Sequence, residues 1–161
     1  MKVKAIVYEI LRWAAVAAGV VMLVMMFGSD PISSADINAV ESAVTEKLDM
    51  SAVLPADNLM IRRLYGIDPE AYEGCVLYYP STNMVAQELL IVKLSDISQQ
   101  ETLLAAIEAR LQTQKTSFDG YGIEQYDMLT NNCVIEPRGN YVLFVVDPAS
   151  ADARQAFLDA L

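Results

Sequence analysis

Histidine is absent from this sequence of 161 residues, and basic residues are few. Histidine is the commonest general base and the commonest zinc ligand, so its absence disfavours an enzyme. We therefore expect no bound metal and no other cofactor. The chain has 11 Lys and Arg against 21 Asp and Glu, a formal net charge of −10. Because nucleic-acid binding depends on clustered basic side chains, we exclude a nucleic-acid partner.

One long uncharged segment is present, WAAVAAGVVMLVMMFG, at residues 13–28. As a helix it reaches about 24 Å, and the residues before it can extend it towards the ~30 Å hydrocarbon core of a bilayer. We interpret residues 1–28 as a signal anchor with a transmembrane helix. A cleaved signal peptide is the alternative, since Ser33 and Ala35 have the small-x-small pattern that signal peptidase accepts. A buried core helix is disfavoured, because the segment is apolar all round.

The charges on either side of this segment predict its orientation. Lys2, Lys4 and Arg12 precede it, whereas the residues that follow it are acidic. The positive-inside rule therefore predicts a single-pass protein of the cell membrane with its C-terminal domain extracytoplasmic. Residues 29–161 carry 8 basic and 20 acidic side chains, a formal charge of −12. We expect a linker at residues 29–36 and an acidic exported domain at residues 37–161.

The hydrophobic spacing after the linker predicts a single α+β domain. Its expected order is α-α-β-β-α-α-β-β-α, with a four-stranded, mainly antiparallel sheet packed by helices. The predicted strands cover residues 75–79, 88–94, 133–136 and 141–146. The predicted helices cover residues 37–48, 57–65, 98–114, 124–129 and 149–161. Ser98 and Glu101 have the form of a capping box at the start of the third helix.

The segment SFDGYGIEQY, at residues 117–126, contains two glycines on either side of Tyr121. We interpret it as a joint between two helices, in which Gly120 and Gly122 stop one helix and start the next. A phosphate-binding loop would not place Asp119 against the anion, and the alternating carboxylates of a calcium loop are missing. The ring of Tyr121 is expected to pack against the sheet.

Four motifs occur in order along the chain. They are Y-G-x-D-P-x-x-Y from Tyr65, N-x-x-A-x-E-L from Asn83, R-x-x-x-Q-x-x-x-F-x-G-Y from Arg110 and G-N-Y from Gly139. With these motifs, residues 59–146 resemble the domain of unknown function 4358, found in small exported proteins and lipoproteins of clostridial-type bacteria. The resemblance implies an exported, membrane-tethered domain without an assigned activity. No lipobox cysteine follows the apolar segment, so that segment itself is expected to be the tether.

The candidate binding residues are polar or aromatic and lie near predicted helix ends, loops and strand starts. Two neighbouring arginines beside a tyrosine can bind an anionic peptide or glycan, and an amide and a carboxylate flank the start of an apolar strand. An ordinary surface or loop-stabilising role is the alternative for each of them. The candidates are Arg62, Arg63, Tyr65, Asn83, Glu88 and Tyr121.

Cys75 and Cys133 are the only cysteines, and both lie at the start of a predicted strand. A disulfide between them is possible if their strands are neighbours and the segment is exported. The alternative is two reduced, buried cysteines that act as small apolar side chains.

Two functions of different classes follow from these residues. The favoured one is a non-enzymatic binding or interaction module at the cell envelope, whose partner is an envelope protein or a cell-wall component. The alternative is a hydrolase or transferase that acts on cell-wall material through paired carboxylates such as Glu70 and Glu73.

Overall fold

A computed structural model describes Trp13, Val16 and residues 32–161 of the chain. Two compact units are present, Met1–Asp30 and Pro31–Leu161. Trp13 and Val16 are helical and exposed, and the rest of the transmembrane helix predicted at residues 13–28 lies outside the described residues. Among the residues described, none of the helices has the length and apolar character that a membrane span requires.

Residues 32–161 contain five α-helices and one sheet of five strands. The helices are α1 (Ile37–Thr45), α2 (Asn58–Tyr65), α3 (Gln99–Phe118), α4 (Ile123–Asn131) and α5 (Ser150–Ala160). The strands are β1 (Val53–Pro55), β2 (Gly74–Pro80), β3 (Glu88–Lys93), β4 (Cys133–Arg138) and β5 (Tyr141–Val146). The strand order is β1-β2-β3-β5-β4, and every neighbouring pair is antiparallel.

The prediction of an α+β domain is confirmed, but the predicted number of four strands is wrong. The fifth strand, β1, lies between α1 and α2 and pairs with the outer edge of β2 through Leu54 and Tyr79. A strand of three residues that ends in Pro55 has no alternating pattern to reveal it. Its hydrogen bonds to β2 order it, and β2 belongs to a more distant part of the chain.

Helices cover both faces of the sheet. In β3, Leu90 and Val92 pack with α2, α3 and α4 on one face, whereas Leu89 and Ile91 pack with α1 and α5 on the other. Strands buried on both faces are apolar nearly throughout, which is the pattern of β3 and β5. Glu88 begins β3 on the same face as Leu90, and this places its carboxylate beneath α2 and α3.

The last residues of the predicted linker are bound to the domain. Asn140 accepts a hydrogen bond from the Ser33 backbone N–H at 2.8 Å and donates one to the Ser33 carbonyl at 3.1 Å. The Tyr141 hydroxyl donates to the Ala35 carbonyl at 2.7 Å. The ordered part of the domain therefore extends ahead of α1 to at least Ser33.

Helix α2 lies within one residue of the predicted bounds, 57–65, and both of its ends are capped by adjacent residues. The Asp57 side chain accepts a hydrogen bond from the Met60 N–H at 2.8 Å, and Gly66 ends the helix in the left-handed region with φ of 67°. The capping box predicted for α3 is wrong, because Ser98 makes no side-chain cap bond. The Asp96 carboxylate instead accepts from the Ser98 N–H at 2.8 Å.

The segment at residues 117–126 is a joint between helices, as predicted. Helix α3 ends at Phe118, α4 begins at Ile123, and Gly120 between them has φ of 84°, a conformation that favours glycine. The expectation for Tyr121 is wrong. Its ring is 64% exposed and lies against Phe118, 6.2 Å away between ring centroids, and not against the sheet.

The two cysteines are free and half-buried. Cys75 lies on β2 and Cys133 on β4, and β3 and β5 separate these strands. At about 4.8 Å between neighbouring strands the two cysteines are roughly 14 Å or more apart, well beyond the ~7 Å limit for a disulfide. Cys75 and Cys133 are therefore two reduced thiols and do not form the disulfide.

We expect neither thiol to react readily with iodoacetamide in the folded protein at pH 8. Burial raises the pKa of the Cys75 thiol to about 12 and also raises that of Cys133. For Cys75 this leaves about 10³-fold less of the reactive thiolate than in an unfolded chain. Mass spectrometry should find two labels after denaturation without reductant, and few before it. Zero labels on the denatured, unreduced protein would contradict the structure.

Candidate functional site

The most buried charge in the domain is the carboxylate of Glu88, whose side chain is 0% exposed. Arg110 on α3 binds it through two hydrogen bonds. Its Nε donates to Oε1 at 3.1 Å and its Nη2 donates to Oε2 at 2.7 Å. This side-on geometry suits the planar guanidinium, and the charges compensate each other where water cannot solvate them.

Two neutral side chains complete the coordination of Glu88. The Tyr65 hydroxyl, at the end of α2, donates to Oε1, and the Gln114 amide on α3 donates to Oε2 at 2.7 Å. Each carboxylate oxygen therefore accepts two hydrogen bonds. The carboxylate links α2 and α3 to β3, and its lone pairs are occupied.

The protonation states in this network follow from burial and from Glu88. Burial, followed by the charge of Glu88, raises the pKa of the Tyr65 hydroxyl well above its ordinary value of 10.0, so Tyr65 remains a donor. Burial opposes the Arg110 cation, but the hydrogen bonds and charge of Glu88 outweigh burial, and the pKa of Arg110 is raised. At neutral pH the network therefore contains one anion, one cation and two neutral donors.

The raised pKa of Tyr65 predicts a specific loss of stability in alkali. An unfolded tyrosine loses its proton near pH 10, whereas folded Tyr65 keeps it, so its contribution is complete below about pH 10 and is lost as pH rises towards the folded pKa. The free energy of unfolding of Tyr65→Phe should fall less steeply than that of the wild type between about pH 10 and about pH 11.5. Urea unfolding measures both slopes, with the exposed Tyr126→Phe as control. Parallel slopes for all three proteins would refute the prediction.

One atom of the network has no partner. The Gln114 Oε1 is buried and accepts no hydrogen bond, and it is the one such side-chain atom among the described residues. Its amide cannot be turned over without breaking the bond from Nε2 to Glu88. More than nine in ten buried polar groups are paired, and an unpaired one costs about 1–3 kcal/mol.

A cleft of about 340 Å³ lies beside this network, between α2, α3 and the loop that joins β2 to β3. Its walls contain two arginines and no carboxylate, although the domain is strongly acidic. The residues that line it are Met60, Arg63, Leu64, Tyr79, Pro80, Thr82, Asn83, Val85, Arg110, Gln114, Ser117 and Phe118.

The two neighbouring arginines of α2 have different surroundings. Arg62 lies on the surface, where it pairs with Asp68 at 2.7 Å and with Glu70 at 3.5 Å. Arg63 lines the cleft, and among the described residues it has no ion-pair partner. Arg63 therefore contributes an uncompensated positive charge to the cleft.

The structure brings four of the six predicted residues together. Arg63 and Asn83 line the cleft, and Tyr65 and Glu88 form the network beside it. Glu88 binds side chains of two helices. Arg62 and Tyr121 are not among the lining residues.

Arg110 and Gln114 were not predicted as site residues, yet they connect the network to the cleft. They are spaced i, i+4 along α3, and Phe118 follows four residues later, so all three share one helix face. The signal that could have identified them is the presence of a charged side chain and an amide side chain on the buried face of a helix. Both belong to the motif R-x-x-x-Q-x-x-x-F that carries the family resemblance.

The carboxylates Glu70 and Glu73, proposed as an acid–base pair, have different partners. Glu70 accepts a hydrogen bond from Asn58 at 3.3 Å, and Glu73 pairs with Lys93 at 2.7 Å. Both side chains are more than half exposed. Among the described residues, no group of three or more Cys, Asp or Glu side chains is arranged to hold a metal ion.

Fold and site together define a three-layer α+β domain with a cleft, lined by two arginines and by apolar side chains, beside a buried ion pair. Residues 46–147 match the domain of unknown function DUF4358. Since this match covers more than half of the chain, the protein belongs to that family, and the predicted resemblance is confirmed. Comparisons with curated proteins and with solved structures gave no match.

Proposed function

We propose that this protein is a non-enzymatic binding domain, tethered to the cell membrane and facing outwards, whose cleft binds an envelope protein or a cell-wall component. The observation that carries the proposal is the contrast between the two charged groups of the site. Glu88 has both oxygens occupied, whereas Arg63 lines an open cleft and has no ion-pair partner in the part of the chain that the structure describes.

This contrast favours binding over catalysis. A general base needs a free lone pair within reach of its substrate, and each oxygen of Glu88 already accepts two hydrogen bonds. Arg63 is exposed at the rim of a partly apolar cleft, where its guanidinium provides one directional charge for the recognition of an anionic group.

The proposed location rests on the N-terminal sequence. An uncharged segment at residues 13–28 follows three basic residues, and the residues after it are acidic. With a C-terminal epitope tag, protease added to intact protoplasts should remove the tag and degrade the chain after about Asp30. A cytoplasmic protein in the same cells should survive. Full protection of the tag until the membrane is permeabilised would reverse the orientation.

Photo-crosslinking in intact cells tests the binding function. The photoreactive residue p-benzoylphenylalanine is placed at Asn83, on the wall of the cleft, or at Asp152, an exposed residue of α5 on the opposite face of the sheet. We expect a discrete adduct from Asn83 that is lost when Arg63→Glu is introduced. Digestion of the wall before electrophoresis separates a wall adduct from a protein adduct. Identical adducts from both positions, insensitive to Arg63→Glu, would contradict a binding cleft.

A further inference from the structure

We infer that the cleft recognises the carboxyl-terminal end of a short apolar peptide; this inference rests on the proposed binding function and names its ligand class. In this arrangement, the terminal carboxylate lies between Arg63 and Arg110. Gln114 Oε1 is buried in the unliganded domain, and a small movement of this side chain at the cleft wall lets it accept a hydrogen bond from a backbone N–H of the peptide.

The charge of the cleft matches a single anionic group. Glu88 compensates the charge of Arg110, whereas no carboxylate in residues 32–161 pairs with Arg63, which leaves one net positive charge at the cleft. Two other hollows of the surface have acidic walls, whereas a third is lined by Arg138. Glu101 and Glu108 line the hollow at the start of α3, and Asp119 and Asp127 line the hollow at the joint between α3 and α4.

Arg110 is held in position before any ligand arrives. Glu88 accepts hydrogen bonds from its Nε and from Nη2, which fixes the plane of the guanidinium at the wall of the cleft. A guanidinium fixed in this way loses little conformational entropy when it binds a carboxylate. Its side chain is 14% exposed, so the contact with the ligand forms largely out of water.

A ligand of this cleft needs a hydrogen-bond donor for the unpaired Oε1 of Gln114, in addition to an anionic group for the two arginines. A simple carboxylate such as acetate can satisfy the two arginines but has no N–H to offer. The end of a peptide has both groups, because its carboxylate lies next to backbone N–H donors. Gln114 is 5% exposed, and a bond to its oxygen would remove the cost of the unpaired buried acceptor.

The size and walls of the cleft indicate the rest of the ligand. A volume of about 340 Å³ is at the lower end of the ~300–1,000 Å³ of ligand sites, so it holds a few residues and not a folded surface. Leu64, Val85 and Phe118 are apolar walls against which apolar side chains can pack.

NMR titration of the full-length, ¹⁵N-labelled protein in mild detergent tests this inference. The probe is the tripeptide acetyl-Ala-Leu-Leu with a free carboxyl terminus, compared with the same peptide as its amide. We expect the free acid to shift the signals of Asn83 and Gln114 and the amide to bind at least tenfold more weakly. Equal affinity for the two peptides, or no shift with either at about 10 mM, would overturn the inference.

Two neighbouring arginines provide a matched control. Arg63→Gln should weaken binding of the free acid at least tenfold, whereas Arg62→Gln should leave it unchanged because Arg62 pairs with Asp68 on the surface. Equal effects of the two substitutions would contradict the assignment of Arg63. A second probe, acetyl-Leu-D-Ala-D-Ala, distinguishes the two sources of such a peptide end. Tighter binding of this probe indicates a cell-wall peptide, and tighter binding of acetyl-Ala-Leu-Leu indicates the carboxyl terminus of a protein.

The outcomes also separate this inference from the proposed function. If the peptides do not bind but the Asn83 adduct forms and depends on Arg63, the ligand class is wrong and the binding function stands. If neither the peptides nor the adduct is observed, both proposals fail.

Discussion

Replacing Glu88 with Leu should lower the free energy of unfolding by about 3–5 kcal/mol. Arg110 would keep its charge in a largely buried position without an anion to compensate it. The Tyr65 hydroxyl and the Gln114 amide would also lose their acceptor. The loss therefore comes from buried groups left without partners and not from the volume of the side chain.

A double variant separates these contributions. Adding Arg110→Met to Glu88→Leu should recover part of the lost stability, because a buried ion pair is often replaced by apolar side chains at little cost. Glu73→Gln is the control, since it breaks a pair with Lys93 in which the carboxylate is 54% exposed, and it should cost no more than about 1 kcal/mol. Urea unfolding of the full-length protein in mild detergent, followed by circular dichroism, gives all four values. A Glu88→Leu protein as stable as Glu73→Gln would disprove the role of the network.

Phe157→Ala should destabilise the protein by about 3–5 kcal/mol as well, although Phe157 lies outside the family match at residues 46–147. Its ring is fully buried in α5 and makes an edge-to-face contact with Tyr141, 6.3 Å away between ring centroids. Truncation leaves a cavity against the second face of the sheet, which neighbouring side chains fill only in part.

Gln155→Ala provides the control for Phe157. Gln155 is exposed on the same helix, and its side chain donates a hydrogen bond to the exposed Asp159, so its replacement should change the free energy of unfolding by no more than about 0.5 kcal/mol. Both variants are compared by thermal and urea unfolding. If Phe157→Ala unfolds at the same urea concentration as Gln155→Ala, α5 is not part of the cooperative domain.

Much of the secondary structure was predictable because its signals are local. The apolar segment at Tyr141–Val146 was predicted as a strand with the same bounds, and Glu88 was predicted to begin the strand at residues 88–94. The helix predicted at residues 57–65 is α2 to within one residue, and its ends are capped by Asp57 and Gly66, an interaction that involves only neighbouring residues. In each case the residues that specify the element lie within it or beside it.

The site was only partly predictable, because its contacts join residues that are far apart in the chain. Glu88 and Tyr65 were selected as polar residues near apolar elements, but nothing in their spacing indicated that Arg110 and Gln114 would meet them. Those contacts span more than twenty residues and exist because α3 packs across the face of β3 to which Glu88 points.

Composition, periodicity and caps specified an acidic α+β domain and most of its elements, since each depends on side chains close together in the chain. The fifth strand, the separation of Cys75 from Cys133 and the exposure of Tyr121 depend on strand order and helix packing. These features are set by the burial of both sheet faces, a requirement that involves the whole domain at once. The same packing placed the buried carboxylate of Glu88 beside a cleft that Arg63 and Arg110 line.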